Sequence, residues 1–295
     1  MYISAIGYAH GEPSSIAELG DEDISALCRP EHGLANYRVS DQEIWQLALA
    51  ACEQTLSSVV GAVPDLLVYV TENDRDVACS VRRLAEALAI PTLEYVVVSG
   101  HGCGNFGPAL RVACDAICAG QRGQILVVLA DRVSGGSRMM LSGLSVFSDG
   151  AASCVVSLEP TDARGPHFTL LATTTVNRAE VAPEAADASM LSIVSMASDG
   201  IIDLTRKTRI DPGDFDHVLF SNYRIISQKF LASAMGFPAE KLLIGQVGEF
   251  GHCFSADILV TLHMAASEGK IKPGDRVVAS ATGPYSWSMV AAERV

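Results

Sequence analysis

The chain has 295 residues, 49% of them hydrophobic and 19% charged, with a formal charge of −13. That composition is too apolar for disorder, and its acidity argues against nucleic acid or an anionic membrane surface as the main partner. No apolar run approaches the roughly 18 residues of a membrane span. The opening MYISAIGYAHGE has no basic region before an apolar stretch, so no signal peptide and a cytoplasmic protein are expected. The length predicts two domains, or one large domain built as two halves.

Read in chain order, the pattern alternates strands and helices. Ser40, followed by Glu43, has capping-box spacing and opens a helix over EIWQLALAACEQTL. A strand is predicted at 65–71, a helix at 81–89 ended by Pro91, and a strand at 93–99 that runs into Gly100-His101-Gly102-Cys103-Gly104. Next come a helix at 108–119 stopped by Gly120, a strand at 124–130, a Gly/Ser-rich loop at 134–150 and another strand from Ala151. After a break at 159–167, strands are predicted at 215–221, 242–247 and 276–282. Helices fall between them, stopped by Gly236 and Gly269. This alternation means an α/β architecture with buried sheets.

The second half repeats the first. Gly120 and Gly269 lie 149 positions apart, and so do Cys103 and His252. Each of the latter pair stands where a strand hands over to the central helix of its half. The halves are residues 1–160, holding Cys103, and 161–295, holding His252. A pseudo-twofold between two such halves packs the central helices together and brings their N-termini close.

Eight cysteines in a chain this long, with no export signal, read as thiols rather than disulfides. No CxxC pair is present, and Cys114 and Cys118 share one face of an apolar helix, which fits packing better than metal binding. Cys103 stands apart. A thiol at a helix N-terminus lies at the positive end of the dipole, which favours the thiolate. A symmetry-placed His252 is suited to hold that thiolate or move its proton.

At these residues the sequence resembles the ketoacyl-acyl-carrier-protein synthase III family of the thiolase superfamily. Cys103-Gly104-Asn105-Phe106 is similar to its acyl-accepting C-A-G-F segment, and Phe147-Ser148-Asp149-Gly150-Ala151 to F-G-D-G-A. Gly251-His252-Cys253-Phe254 with Ala256-Asp257 resembles a G-H-C-F-x-A-D variant, and 271–276 matches I-K-P-G-D-R. Thr282 to Trp287 is similar to G-G-G-F-T-W. The resemblance implies the five-layered αβαβα thiolase fold and a homodimer, although a heterodimer is also known in the superfamily. It makes Gly283 the second oxyanion-hole N–H beside that of Cys103.

The family's second catalytic His, of P-H-Q-A-N, has no counterpart here. Counting from Gly236 puts Ser221 in its place, beside Asn222; anchoring on Arg224-Ile225 puts Leu219 there. Decarboxylative condensation needs two donors for an enolate, whereas acyl transfer needs a thiolate, an oxyanion hole and one base. The expected function is therefore an acyltransferase of secondary metabolism working through a Cys103 thioester. No tightly bound cofactor is expected; an acyl carrier protein or coenzyme A thioester is the donor. A decarboxylative synthase and a non-catalytic partner of a heterodimeric ketosynthase are the alternatives. A cysteine hydrolase is a fourth reading that lacks a third orienting group. Met139, Met140, Leu141 and Phe147 are candidates for an acyl pocket or equally for the core or a dimer interface. Arg206, Lys207 and Arg209, joined by Arg224 and Lys229, form a basic cluster that reads first as a solvated surface run and, as the alternative, as a docking patch for an acidic carrier protein. His101 and His263 are read as packed residues, and His217 as lying at the wrong end of its strand. The 15–39 region is short for the family and implies a more open tunnel.

Overall fold

The computed structural model describes residues 1–19, 27–59, 63–120, 123–140, 143–178 and 186–295, with side chains in the last segment from 192 onward. A small antiparallel pair, β2 (Glu12–Ser15) and β3 (Asn36–Val39), follows β1 (Tyr2–His10). β4 (Leu66–Val70), β5 (Tyr95–Val98) and β6 (Gln124–Asp131) run parallel, in the order β5-β4-β6. β7 (Gly150–Ser157) pairs antiparallel with β6 and with β1. β4 is buried at every position, as its unbroken LLVYV run predicts for a strand covered on both faces.

The second half repeats this arrangement with β8 (Phe168–Asn177), β9 (His217–Phe220), β10 (Arg276–Thr282) and β11 (Ser286–Arg294). β9 and β10 are parallel, and β10, β11 and β8 are successively antiparallel. One nine-stranded sheet results, ordered β5-β4-β6-β7-β1-β8-β11-β10-β9. The halves meet through a short pairing of Tyr2 and Ile3 with Thr169 and Phe168. β8 and β11 are not singled out by the sequence pattern. The strand predicted at 242–247 is reduced to a single bridge from Leu242 to Val218. There the chain bends away at Gly245, where a Cβ would lie 2.5 Å from Thr261 Oγ1.

The helices are α1 (Ile44–Ser57), α2 (Val77–Ala87), α3 (Phe106–Cys118), α4 (Ala186–Thr208), α5 (Ile225–Ala234), the single turn α6 (Val247–Phe250) and α7 (Asp257–Ser267). The capping box of α1 is built by Glu43 and Gln46 rather than by Ser40, so the helix starts one turn later than the Ser40 spacing suggests. α2 starts four residues earlier than predicted because Asp76 accepts from Cys79 N–H and caps it.

Five layers follow from what each helix buries. α1 and α2 cover the outer face of the first half, with Leu47, Ala48, Val81 and Leu84 packed on Leu67, Tyr69 and Val128. α4 and α5 cover the outer face of the second half, with Leu204 and Leu231 packed on Val218, Phe220 and Trp287. Between the half-sheets lie α3 and α7, whose Leu110, Ala113, Ile258 and Leu262 join strands of both halves in the largest core cluster. α7 is apolar almost all round, as a helix enclosed on every side must be. This is the five-layered αβαβα thiolase-like arrangement with two pseudo-twofold-related halves. Among the described residues no helix is long and apolar enough to cross a membrane.

Candidate active site

The two central helices begin side by side. Cys103 sits in a 3₁₀ turn, Gly102–Gly104, that leads into α3, and it is buried. N–H groups in the first turn of a helix have no intrahelical carbonyl partner. Gly100 and Gly102 take positive φ angles of 91° and 56°, which side chains rarely tolerate. On the other side Gly251 (φ 59°) and Phe254 (φ 52°) bend the chain sharply through His252. Ser255 Oγ then donates to the Cys103 carbonyl at 3.1 Å, tying the two helix starts together.

His252 Nε2 lies 2.9 Å from Cys103 Sγ. Its Nδ1 lies 2.5 Å from Asp257 Oδ2. All three residues are buried. Asp257 is itself fixed by backbone donors: Asn222 N–H at 2.7 Å and Cys253 N–H at 2.8 Å. Sulfur, imidazole and carboxylate thus form one relay. Burial opposes the charge on His252, but the Cys103 and Asp257 negative charges outweigh it and raise its pKa to about 10. The group that sequence reasoning found missing, a third residue to orient the base, is Asp257. It stands in the quoted Ala256-Asp257 motif, five residues after His252.

The other expected residues are placed differently. The Gly283 N–H is occupied: it donates to Ser286 O at 2.8 Å within the β10–β11 turn. Gly283 is glycine for closeness, since a Cβ there would lie 2.1 Å from His101 O. Asn222 serves Asp257 through its N–H and, at 3.4 Å, through Nδ2, so it positions the relay. Ser221 is fully buried, and its hydroxyl makes no hydrogen bond to Cys103 or His252. The nearest aromatic on that strand end is Tyr223, unremarked in the sequence, with its ring centroid 5.4 Å from that of His252. Its hydroxyl accepts from Thr282 N–H at 3.1 Å. Burial, with the nearby Cys103 charge, raises its pKa well above the ordinary phenol value.

His101 Nδ1 lies 3.1 Å from Ser286 Oγ, and His217 Nε2 lies 3.2 Å from Asp275 Oδ2 at the far end of β9. Phe147 stacks on Phe254 at 4.7 Å, and both rings flank His252, at 5.6 and 6.0 Å. Met139 packs under the β2–β3 side and Met140 on the outer core of the second half, while Leu141 lies outside the described residues. The candidate basic patch is partly neutralised. Arg206 and Lys207 both pair with Asp203, and Arg224 Nε donates to Ser227 Oγ. Cys118, expected to be a packing residue, is exposed, as is Cys28. Of the 15–39 region, β3 is tied over α6, with Asn36 Nδ2 donating to Gly248 O at 3.2 Å and Arg38 paired with Glu249. Among the described residues no cluster could hold a metal ion.

Residues 205–293 match the family described as 3-oxoacyl-[acyl-carrier-protein] synthase III C terminal. The beta-ketoacyl-[acyl-carrier-protein] synthase III of Aquifex aeolicus is 25% identical over 93% of this chain and 91% of its own. The solved structure of that organism's synthase superposes with a TM-score of 0.80 at 21% identity, covering 99% of both chains. ChlB3, described as an acyltransferase, superposes with a TM-score of 0.84 at 22% identity, covering 99% of this chain and 97% of that one.

Proposed function

We propose that this chain, a divergent member of the ketoacyl synthase III-like family of the thiolase superfamily, is an acyltransferase that works through a thioester on Cys103. The observation that carries the reading is the Cys103–His252–Asp257 relay, in which one histidine is oriented by a carboxylate. The strand end that carries the family's second histidine here holds Ser221, Asn222 and Tyr223. ChlB3 has this fold and an acyltransferase's name, so the fold accommodates the reaction.

In the first half-reaction the Cys103 thiolate attacks the carbonyl carbon of a donor thioester. The donor C–S bond breaks, and the departing thiolate takes the proton from His252 Nε2. Acylation removes the Cys103 negative charge, the larger of the two that raise His252. The imidazole is then neutral and ready to act as a base. In the second half-reaction an acceptor O–H, N–H or S–H loses its proton to Nε2 as its heteroatom attacks the acyl carbon. Collapse of the tetrahedral species returns the thiolate and the imidazolium. Asp257 holds the Nδ1–H tautomer throughout. The oxyanion forms at the α3 helix start, where N–H groups and the helix dipole favour negative charge.

The donor is an acyl carrier protein or coenzyme A thioester; the relatives' names carry the acyl carrier protein. The active form is a homodimer joined through β5, an edge strand of the large sheet, on which Tyr95 and Val97 are exposed. A decarboxylative synthase is the second reading, because the sequence relatives bear that name.

Intact-protein mass measurement with a panel of acyl-carrier and coenzyme A thioesters tests these readings. An acyl adduct that is absent in Cys103→Ala is expected. Release of carbon dioxide from a malonyl thioester added to the acylated enzyme would support the synthase instead. Rapid loss of the adduct in buffer alone would indicate a hydrolase, for which the relay is equally complete.

A further inference from the structure

A second carboxylate is built into the turn that carries Cys103. Glu72 follows β4, and its Oε1 accepts three hydrogen bonds. They come from Gly100 N–H at 2.6 Å, Gly102 N–H at 2.9 Å and Asn105 Nδ2 at 2.6 Å. Gly100 and Gly102 are the two residues of this turn with positive φ, so their N–H groups converge on one point as in an anion-binding nest. Here the anion is the protein's own side chain. Asn105, fully buried, closes the ring: its Nδ2 also donates to Gly102 O at 2.9 Å, and its Oδ1 accepts from His101 N–H at 3.2 Å.

Glu72 is held in turn from behind. Asp131, buried at the end of β6, accepts at Oδ1 from Glu72 N–H at 2.8 Å and Asn73 N–H at 2.9 Å. Thr71 Oγ1 and Asn73 Nδ2 donate to the same oxygen at 3.1 and 3.3 Å. A continuous set of hydrogen bonds therefore runs from the sheet, through the 71–73 loop, to both sides of Cys103.

We propose that Glu72 is a positioning residue, whose carboxylate fixes the Cys103 turn so that the sulfur meets His252 Nε2. No hydrogen bond links it to Cys103 or His252, so it acts through the backbone of the turn. It sets the half of the relay that Asp257 does not: Asp257 orients the imidazole, and Glu72 orients the thiol.

The proposal deepens the acyl-enzyme reading, and its test uses one readout that needs no acyl donor. The rate of iodoacetamide alkylation at Cys103, read on the Cys103 peptide, is measured for wild type, Glu72→Gln, Glu72→Asp and Glu72→Ala, with the melting temperature of each. Acylation kcat and KM follow with whichever thioester serves. Glu72→Gln keeps an acceptor oxygen in place and is expected within about 3-fold of wild type. Glu72→Asp keeps the charge but withdraws the oxygen by one methylene. Glu72→Ala removes the oxygen. Both are expected to lose about 10- to 100-fold in the Cys103 rate and in kcat with little change in KM, the cost of misplacing a reacting group by about 1 Å. Wild-type rates in folded Glu72→Asp, whatever its melting temperature, would reduce Glu72 to a structural residue and overturn the proposal. A Glu72→Gln enzyme as slow as Glu72→Ala, at unchanged melting temperature, would also overturn it, because the ionised carboxylate would then be acting itself. If alkylation follows the expected order but no thioester is accepted, the positioning role stands and the acyltransferase reading falls.

Discussion

Replacing Asp257 by Asn strikes the relay at the point that separates a triad from a chance cysteine–histidine contact. Asp257 Oδ1 accepts from Cys253 N–H, and Oδ2 accepts from Asn222 N–H and faces His252 Nδ1. An asparagine that keeps its oxygen on Cys253 must point its amide at His252 Nδ1. The imidazole then becomes the acceptor at Nδ1 and carries its proton on Nε2, facing the sulfur. In that tautomer it cannot take a proton from the thiol. The electrostatic part is seen at His252, raised from 6.5 to about 10 by Cys103 and Asp257 together against burial. Losing the Asp257 charge removes part of that support and weakens the imidazole as a base. Adding the wrong tautomer, which alone costs up to about 10⁴-fold in a serine-protease triad, places the loss between about 10² and 10⁴. Single-turnover acylation followed by intact-protein mass measures it, with a thermal melt to confirm folding. A folded Asp257→Asn protein that acylates within about 3-fold of wild type would refute the relay.

Three further outcomes are expected. Gly283→Ala forces a Cβ to within 2.1 Å of His101 O, so the Cys103 turn must shift. A lower melting temperature and at least about 10-fold slower acylation should appear together, and a loss in neither would contradict the close approach. Asn222→Ala removes Nδ2 but leaves the N–H that holds Asp257, so it should cost less than about 10-fold in acylation rate, far less than Asp257→Asn. Asp131 should make stability fall as pH rises. Burial raises its carboxyl from 3.8 to about 7, so the folded state binds the proton more tightly, and that stability is complete below pH 4 and lost as pH rises through 7. His10, lowered by burial to about 4, acts oppositely below pH 6.5, so the two are separated by comparing wild type with Asp131→Asn in urea. The difference between these proteins should change by up to about 4 kcal/mol between pH 4 and 8, and a constant difference would exclude Asp131 as the titrating group.

What the sequence made legible follows from where each kind of information resides. The duplication was readable because glycines that stop helices recur at fixed offsets, and so the opposed Cys103 and His252 could be found without any distance. The parallel strands were readable because LLVYV and ILVVLA are apolar throughout. β8 and β11 were hidden for the opposite reason. HFTLLATTTVN and SWSMVAAER mix polar and small residues, because these strands are read by their antiparallel partners rather than by an apolar run. The predicted strand at 242–247 failed because Leu242 to Val247 is apolar enough for a strand but must let α7 and Asn222 approach at Gly245.

The site divides along the same line. Cys103 and His252 come from equivalent places in the two halves, and repetition exposes them. Asp257 looks in sequence like an acidic residue in the first turn of a helix, where the dipole alone explains it. Only the bends at Gly251 and Phe254 turn its carboxylate back onto the histidine five residues earlier. Glu72 is 31 positions from Cys103 and reaches the turn because β4 and β5 are neighbours in the sheet. Neither carboxylate occupies equivalent positions in the two halves: 149 residues after Glu72 stands Ser221, and 149 before Asp257 stands Pro108. The repeat thus exposes the proposed nucleophile and base, whereas the carboxylates proposed to aim them have no counterpart in the other half. A reading built on the repeat finds the first pair and must miss the second.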